Sequence, residues 1–183
     1  MYVEEPDDRE RSIPHNRGLT MFDSLTALEI RNYLPHRYPF LLVDKIEKVI
    51  SSPTSPVGDR IIGYKAVTQN EPYFQGHYPE QPVMPGVLVL EALAQTMALL
   101  VFYHLPNAKE TRYLYLTGID DAKFRHPVFP GSLLQLEVEI KKIRNFKFCV
   151  VEAKAFLVQG SEKEMVTQAR ISSALVSKEK EKL

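Results

Sequence analysis

A chain of 183 residues, 44% hydrophobic and 25% charged, has the length and apolar content of one globular domain with a sizeable core. Its 23 basic residues balance 23 acidic ones, which excludes a whole-chain field driving it onto nucleic acid or an anionic membrane and leaves only a local basic patch open. The single cysteine, Cys149, excludes an internal disulfide framework, reads as a small core residue, and suits a reducing, cytoplasmic compartment.

The first twenty residues, "MYVEEPDDRERSIPHNRGLT", mix acids, arginines and prolines without an apolar segment. That pattern excludes a secretory signal and argues against a transit peptide. It predicts a disordered lead-in over 1–20, with ordered sequence beginning at Met21. A short helix is expected over residues 24–33, capped by Asp23 or Ser24, with Leu25, Leu28 and Ile30 on its apolar side. Pro35 ends it. "LLVDKIEKVI" alternates like a strand, "SSPTSPVGD" is a proline- and serine-rich loop, and "RIIGYKAVT" pairs back as the second strand of a hairpin.

A long apolar helix should start after Pro85 and run through "GVLVLEALAQTMALLVFYH". Four β-like runs follow it: "RYLYLTGIDDAKF", "SLLQLEVEIKKIR", "FKFCVVEAKAFLV" and "MVTQARISSALVS". One hydrophobic helix among about six strands predicts an α+β architecture, an antiparallel sheet wrapped around a central helix, over residues 21–177. The charges of 178–183 form a solvated tail. A membrane span is the competing reading of the helix. Glu91 and Gln95 would then sit mid-span, and an acid at that depth costs about 3 kcal/mol; the flanking strands would also have no role. The buried central helix is the better reading.

Glu91 and Gln95 are four apart and project from one helix face. The pair is a buried structural hydrogen-bond network, a stripe exposed through a gap in the sheet, or the site of an acid, because a carboxyl in apolar surroundings holds its proton more firmly. At the helix start, "PVMPG" offers no Ser, Thr, Asp or Asn to cap the chain. The amides of Gly86, Val87 and Leu88 therefore need another acceptor, either water or an oxygen on which negative charge develops. His77 lies upstream in a loop, where an imidazole is solvated, structural, or a base for a proton of moderate acidity. Base, amide donor and acid are together the parts needed to remove a proton beside a carbonyl and expel a group from the adjacent carbon.

Three segments, "LPHRYPFLLVDKI" (34–46), "GHYPEQPVMPGVLVLEALAQ" (76–95) and "DDAKFRHPVFPGSLLQLEV" (120–138), resemble in order and spacing the beta-hydroxyacyl-acyl carrier protein dehydratases of type II fatty acid synthesis. The resemblance covers about residues 24–177 and implies the hot-dog fold. It implies that His77 is the catalytic base, Glu91 the catalytic acid, Gln95 an orienting partner and the Gly86 amide the oxyanion donor. The related dehydratase-isomerase type has Asp at the acid position, so Glu91 favours the plain dehydratase. Tyr78 stands where relatives have Phe, Tyr115 matches a tyrosine that gates the acyl tunnel, and Met84 joins them as a lining residue. The implied reaction is dehydration of a (3R)-hydroxyacyl thioester to the trans-2-enoyl thioester, without metal or redox cofactor. His36, His77, His104 and His126 lie in separate segments without metal-ligand spacing. The resemblance further implies a homodimer in which base and acid meet across the interface, and a hexamer of three dimers. Acyl carrier protein, an acidic partner, would need a local basic surface; Lys123, Arg125, Lys141, Lys142, Arg144 and Lys147 are candidates near strand ends. A hot-dog thioesterase or coenzyme A-linked hydratase, and a non-catalytic acyl-binding regulator, are the rival readings.

Overall fold

The computed structural model describes residues 22–105, 107–145 and 147–178; the expected lead-in, its boundary at Met21, and the tail beyond Lys178 lie outside these. In chain order the elements are α1 (Ala27–Ile30), β1 (Lys45–Ile50), β2 (Arg60–Ala66), a 3-10 turn (Pro72–Gln75), α2 (Gly86–His104), α3 (Ala108–Thr111), β3 (Arg112–Phe124), β4 (Leu133–Arg144), β5 (Phe148–Gln159) and β6 (Glu162–Ser177). The six strands form one antiparallel sheet in the order β1-β2-β4-β5-β6-β3.

The sheet wraps α2, which packs against β2, β4, β5 and β6. The pattern of β4 shows why: Leu134, Leu136, Val138 and Ile140 alternate onto the helix side and are fully buried. On β5 the inward positions are Cys149, Val151, Ala153 and Ala155, whose small side chains leave room for a helix this close. From Val89 to Tyr103 every residue of α2 except Glu91 is buried. Each large side chain enclosed this way contributes about 1.5–3 kcal/mol. The helix has the length and composition to cross a membrane, but most of it is packed inside the fold. This is the sheet wrapped around a central helix that the periodicity predicts, and the hot-dog fold that the family resemblance implies.

Differences from expectation are local. The first helix is shorter than 24–33, and its cap is Thr26, not Asp23 or Ser24: Thr26 and Glu29 close a capping box. Residues 41–44 are not part of β1; the Asp44 N–H still donates to the Tyr64 carbonyl (2.9 Å), and side chains complete the hold, with the Ala66 N–H donating to Asp44 Oδ2 (2.7 Å). Cys149 is a core residue, and burial pushes its thiol up to about 12.

Two buried polar clusters anchor the loops at opposite ends of α2. Lys65, 4% exposed, is neutralised by Asp44 at 3.3 Å and by Glu71, which ties the 3-10 turn to β2. At the far end His104 Nε2 stands 3.1 Å from Asp59 Oδ2. Burial pushes the Asp59 carboxyl up, opposed by the Ser52 N–H it accepts.

Candidate active site

The 3-10 turn delivers His77. Its N–H donates to the Tyr73 carbonyl (2.9 Å), and the Val83 N–H donates back to the His77 carbonyl (3.1 Å), closing the loop on itself. The imidazole Nδ1 is 2.8 Å from the Val83 carbonyl oxygen. A carbonyl only accepts, so Nδ1 carries a hydrogen, and the neutral tautomer compatible with this bond has its lone pair on Nε2. Tyr78 stacks on this ring at 4.1 Å across a cis peptide and is itself 58% exposed.

Met84, fully buried, receives the chain from the loop, and its N–H donates to the Val128 carbonyl (2.8 Å). Gly86 then opens α2 with Pro85 as a cap that offers no side-chain acceptor. The Leu88 N–H, expected to be free, donates to the Pro85 carbonyl at 2.9 Å, because a trans-proline at this position still has a carbonyl to offer the first turn. In the first turn of α2, the amides of Gly86 and Val87 accordingly have no acceptor among the described residues. A Cβ on residue 86 would lie 2.7 Å from the Phe124 ring, so glycine is required here by the close approach of β3.

One turn and a half along α2, Glu91 keeps 18% of its side chain exposed, so it is partly buried rather than fully enclosed. Its Oε1 accepts from Gln95 Nε2 (2.8 Å). Gln95, 1% exposed, also donates to the Phe40 carbonyl (2.7 Å) and accepts the Leu42 N–H (2.8 Å). These three partners fix its amide orientation without ambiguity. His36 Nε2 stands 3.5 Å from the same Glu91 Oε1. Burial holds the His36 ring below the usual histidine range, with the Glu91 charge opposing and the Arg37 charge adding to this.

Within one chain no hydrogen bond or ion pair joins His77 to Glu91 among the described residues. Each has one uncommitted polar atom, Nε2 and Oε2. Tyr115 lies nine residues before Phe124 on the same strand, 42% exposed, so it is not beside the start of α2. The basic residues separate as well. Lys123 pairs in register with Gln168 of β6, whereas Lys142 and Arg144 fall level with Ser172 and Ala174, roughly 13–20 Å away along the strand. Lys141 is paired with Glu139 (2.7 Å) and Glu152 (3.4 Å). Lys123 and Arg125 flank Phe124 and so remain next to the α2 N-terminus. No cluster of three His, Cys, Asp or Glu is placed to hold a metal ion among the described residues.

The family model described as the FabA-like domain matches residues 34–170, a span that contains every element of this site. The chain belongs to the FabA-like family. Among curated relatives, the 3-hydroxyacyl-[acyl-carrier-protein] dehydratase FabZ of Geobacter metallireducens is 41% identical over 161 residues, covering 88% of this chain and 98% of the relative. The protein of the same name from Myxococcus xanthus is 55% identical over 113 residues, 61% of this chain and 69% of the relative. The dehydratase heterocomplex ApeI:P from Xenorhabdus doucetiae superposes with TM-score 0.63 at 19% identity, over 82% of this chain and 92% of that one. A hypothetical thioesterase with coenzyme A from Streptococcus pneumoniae superposes with TM-score 0.52 at 12% identity, over 72% and 84%. At those identities the two structures show the shared fold alone.

Two partners of the site escaped the sequence reading. The sequence places Phe124 in a strand, and its packing on Gly86 is a tertiary contact that spacing does not reveal. His36 was weighed only as a metal ligand, although it lies inside "LPHRYPFLLVDKI", one of the three segments that carry the family likeness.

Proposed function

We propose that this chain dehydrates (3R)-hydroxyacyl groups carried on acyl carrier protein to the trans-2-enoyl thioester, in type II fatty acid synthesis in the cytoplasm. The observation that carries the reading is the pairing of a fixed imidazole tautomer with a half-committed carboxyl, in a chain whose relatives are dehydratases by name. His77 Nε2 takes the C2 proton. The Gly86 amide stabilises the thioester oxygen as it gains enolate character, aided by the positive end of α2. A Glu91 carboxylic acid gives its Oε2 proton to the C3 hydroxyl, the C3–O bond breaks, and water leaves. Gln95 orients Glu91, and Met84, Tyr78 and Tyr115 line the acyl path.

The working unit is a homodimer, and three dimers assemble into a hexamer. Its support is β3, a 13-residue strand at the sheet edge with Tyr115, Leu116, Ile119 and Phe124 exposed. A long apolar edge is stable in solution when a second chain covers it. The carrier protein docks at Lys123 and Arg125, the basic pair beside the α2 N-terminus. Reversing both charges should lower turnover of carrier-protein substrates and flatten its salt dependence, while turnover of a small thioester is retained; an unchanged salt profile would discard this docking surface.

Hydration of a crotonyl thioester, the reverse reaction, tests the chemistry directly. His77→Ala and Glu91→Gln should each reduce turnover by about 10²–10⁴. Turnover equal to the parent in either variant defeats that residue's role, and release of a free acid in place of an enoyl or hydroxyacyl thioester would indicate a thioesterase.

A further inference from the structure

The reading of Glu91 as the acid, on which the following rests, leaves open what selects the oxygen that carries its proton. We propose that His36 is a positioning residue for Glu91, its Nε2–H sharing Oε1 with Gln95 so that Oε2 alone carries the proton to substrate. The first observation is convergence. His36 Nε2 at 3.5 Å and Gln95 Nε2 at 2.8 Å address the same oxygen, and Oε2 has no partner among the described residues. Two N–H groups on Oε1 make it the acceptor oxygen. They also stabilise the carboxylate that forms as the proton departs.

The second observation is the other ring nitrogen. His36 Nδ1 is buried without a hydrogen-bond partner. A hydrogen there would leave a buried N–H unpaired, the more costly arrangement, whereas a hydrogen on Nε2 leaves only a lone pair unpaired and gives Glu91 a donor. The ring is also held in place. It stacks on Phe40 at 6.2 Å and 30°, and Gln95 grips Phe40 and Leu42, so one side chain ties the His36 segment to Glu91. Burial pushes the ring below the usual histidine range and so favours its uncharged form; a permanent cation at this place would hold Glu91 as carboxylate and remove its proton. The distance of 3.5 Å is long for a formed hydrogen bond, as is common in catalytic sites before substrate is bound.

Crotonyl-thioester hydration by the full chain tests this with three variants. His36→Ala should lower kcat about tenfold with KM within about twofold, since the residue acts through the acid and not on the acyl chain. His36→Gln, whose amide can place an N–H near the same point, should recover most of that loss. His36→Ala added to Glu91→Gln should cost nothing further. A His36→Ala kcat equal to the parent, or an equal further loss in the Glu91→Gln background, overturns the positioning role. If His36→Ala merely unfolds the site, His36→Gln gives no selective rescue and KM rises with the fall in kcat, which also overturns it. Full turnover in Glu91→Gln would overturn the assignment of the acid itself, a failure distinguishable from that of His36.

Discussion

At the scale of single residues, Gln95 carries more of this site's order than Glu91. It is buried, and it joins the Phe40 carbonyl, the Leu42 amide and the Glu91 carboxyl group. Truncation would leave the buried Leu42 N–H without its acceptor, at about 1–3 kcal/mol, and would take a donor from the part-buried Phe40 carbonyl. Gln95→Ala should therefore lower unfolding stability by about 2–4 kcal/mol in urea titration, with turnover reduced as well. A stability change under about 0.5 kcal/mol would mean that water replaces the side chain and that Gln95 orients nothing. The Glu91–Gln95 pair was legible in sequence because helical spacing alone sets two residues four apart on one face. Its outer partners were not. Phe40 and Leu42 lie more than fifty residues earlier, and the Phe124 contact that demands glycine at position 86 arises only when β3 closes over the start of α2.

Elements follow the same division between local and long-range causes. The start of α2 after Pro85 and both ends of β3 coincide with the expected residues, because proline and apolar runs are local signals. By contrast, β6 begins at Glu162, three residues before the apolar run. The turn at Gly160, with φ +62, sets the register Gln159↔Glu162 and draws charged residues into the ladder. The two sheet edges also differ in a way composition does not announce. β1 is six residues with Lys45, Glu47 and Lys48, and Leu25 bridges it at Ile46, which protects that edge. Among the described residues nothing covers β3 in this way, and Ile119 stands 41% exposed near its middle. Ile119→Lys should weaken self-association at least about 30-fold, the effect of losing one well-buried interface anchor. Light scattering across a dilution series measures it. A variant that dimerises like the parent would place the interface on some face other than this edge.

For the whole molecule, His77 and Glu91 share no hydrogen bond or ion pair within one chain among the described residues, and what a complete site requires turns on whether a second chain brings them together. Each residue is bound to its own neighbours, and each keeps one atom free. The fold alone was foreseeable from one apolar helix among six strands, but composition and periodicity describe one chain and carry no information about which surface of a second chain completes it. Subunit mixing makes the question quantitative. Co-expressed His77→Ala and Glu91→Gln chains should form about half mixed dimers. If each site takes its base from one subunit and its acid from the other, a mixed dimer has one site with both groups intact and one with neither. Activity should then return to about a quarter of the parent value, although each variant by itself is nearly inactive. If base and acid belong to the same subunit, every site in the mixture lacks one of them and no activity returns. Dimers isolated through two different affinity tags sharpen the contrast, since the purified mixed species should work at about half the parent rate.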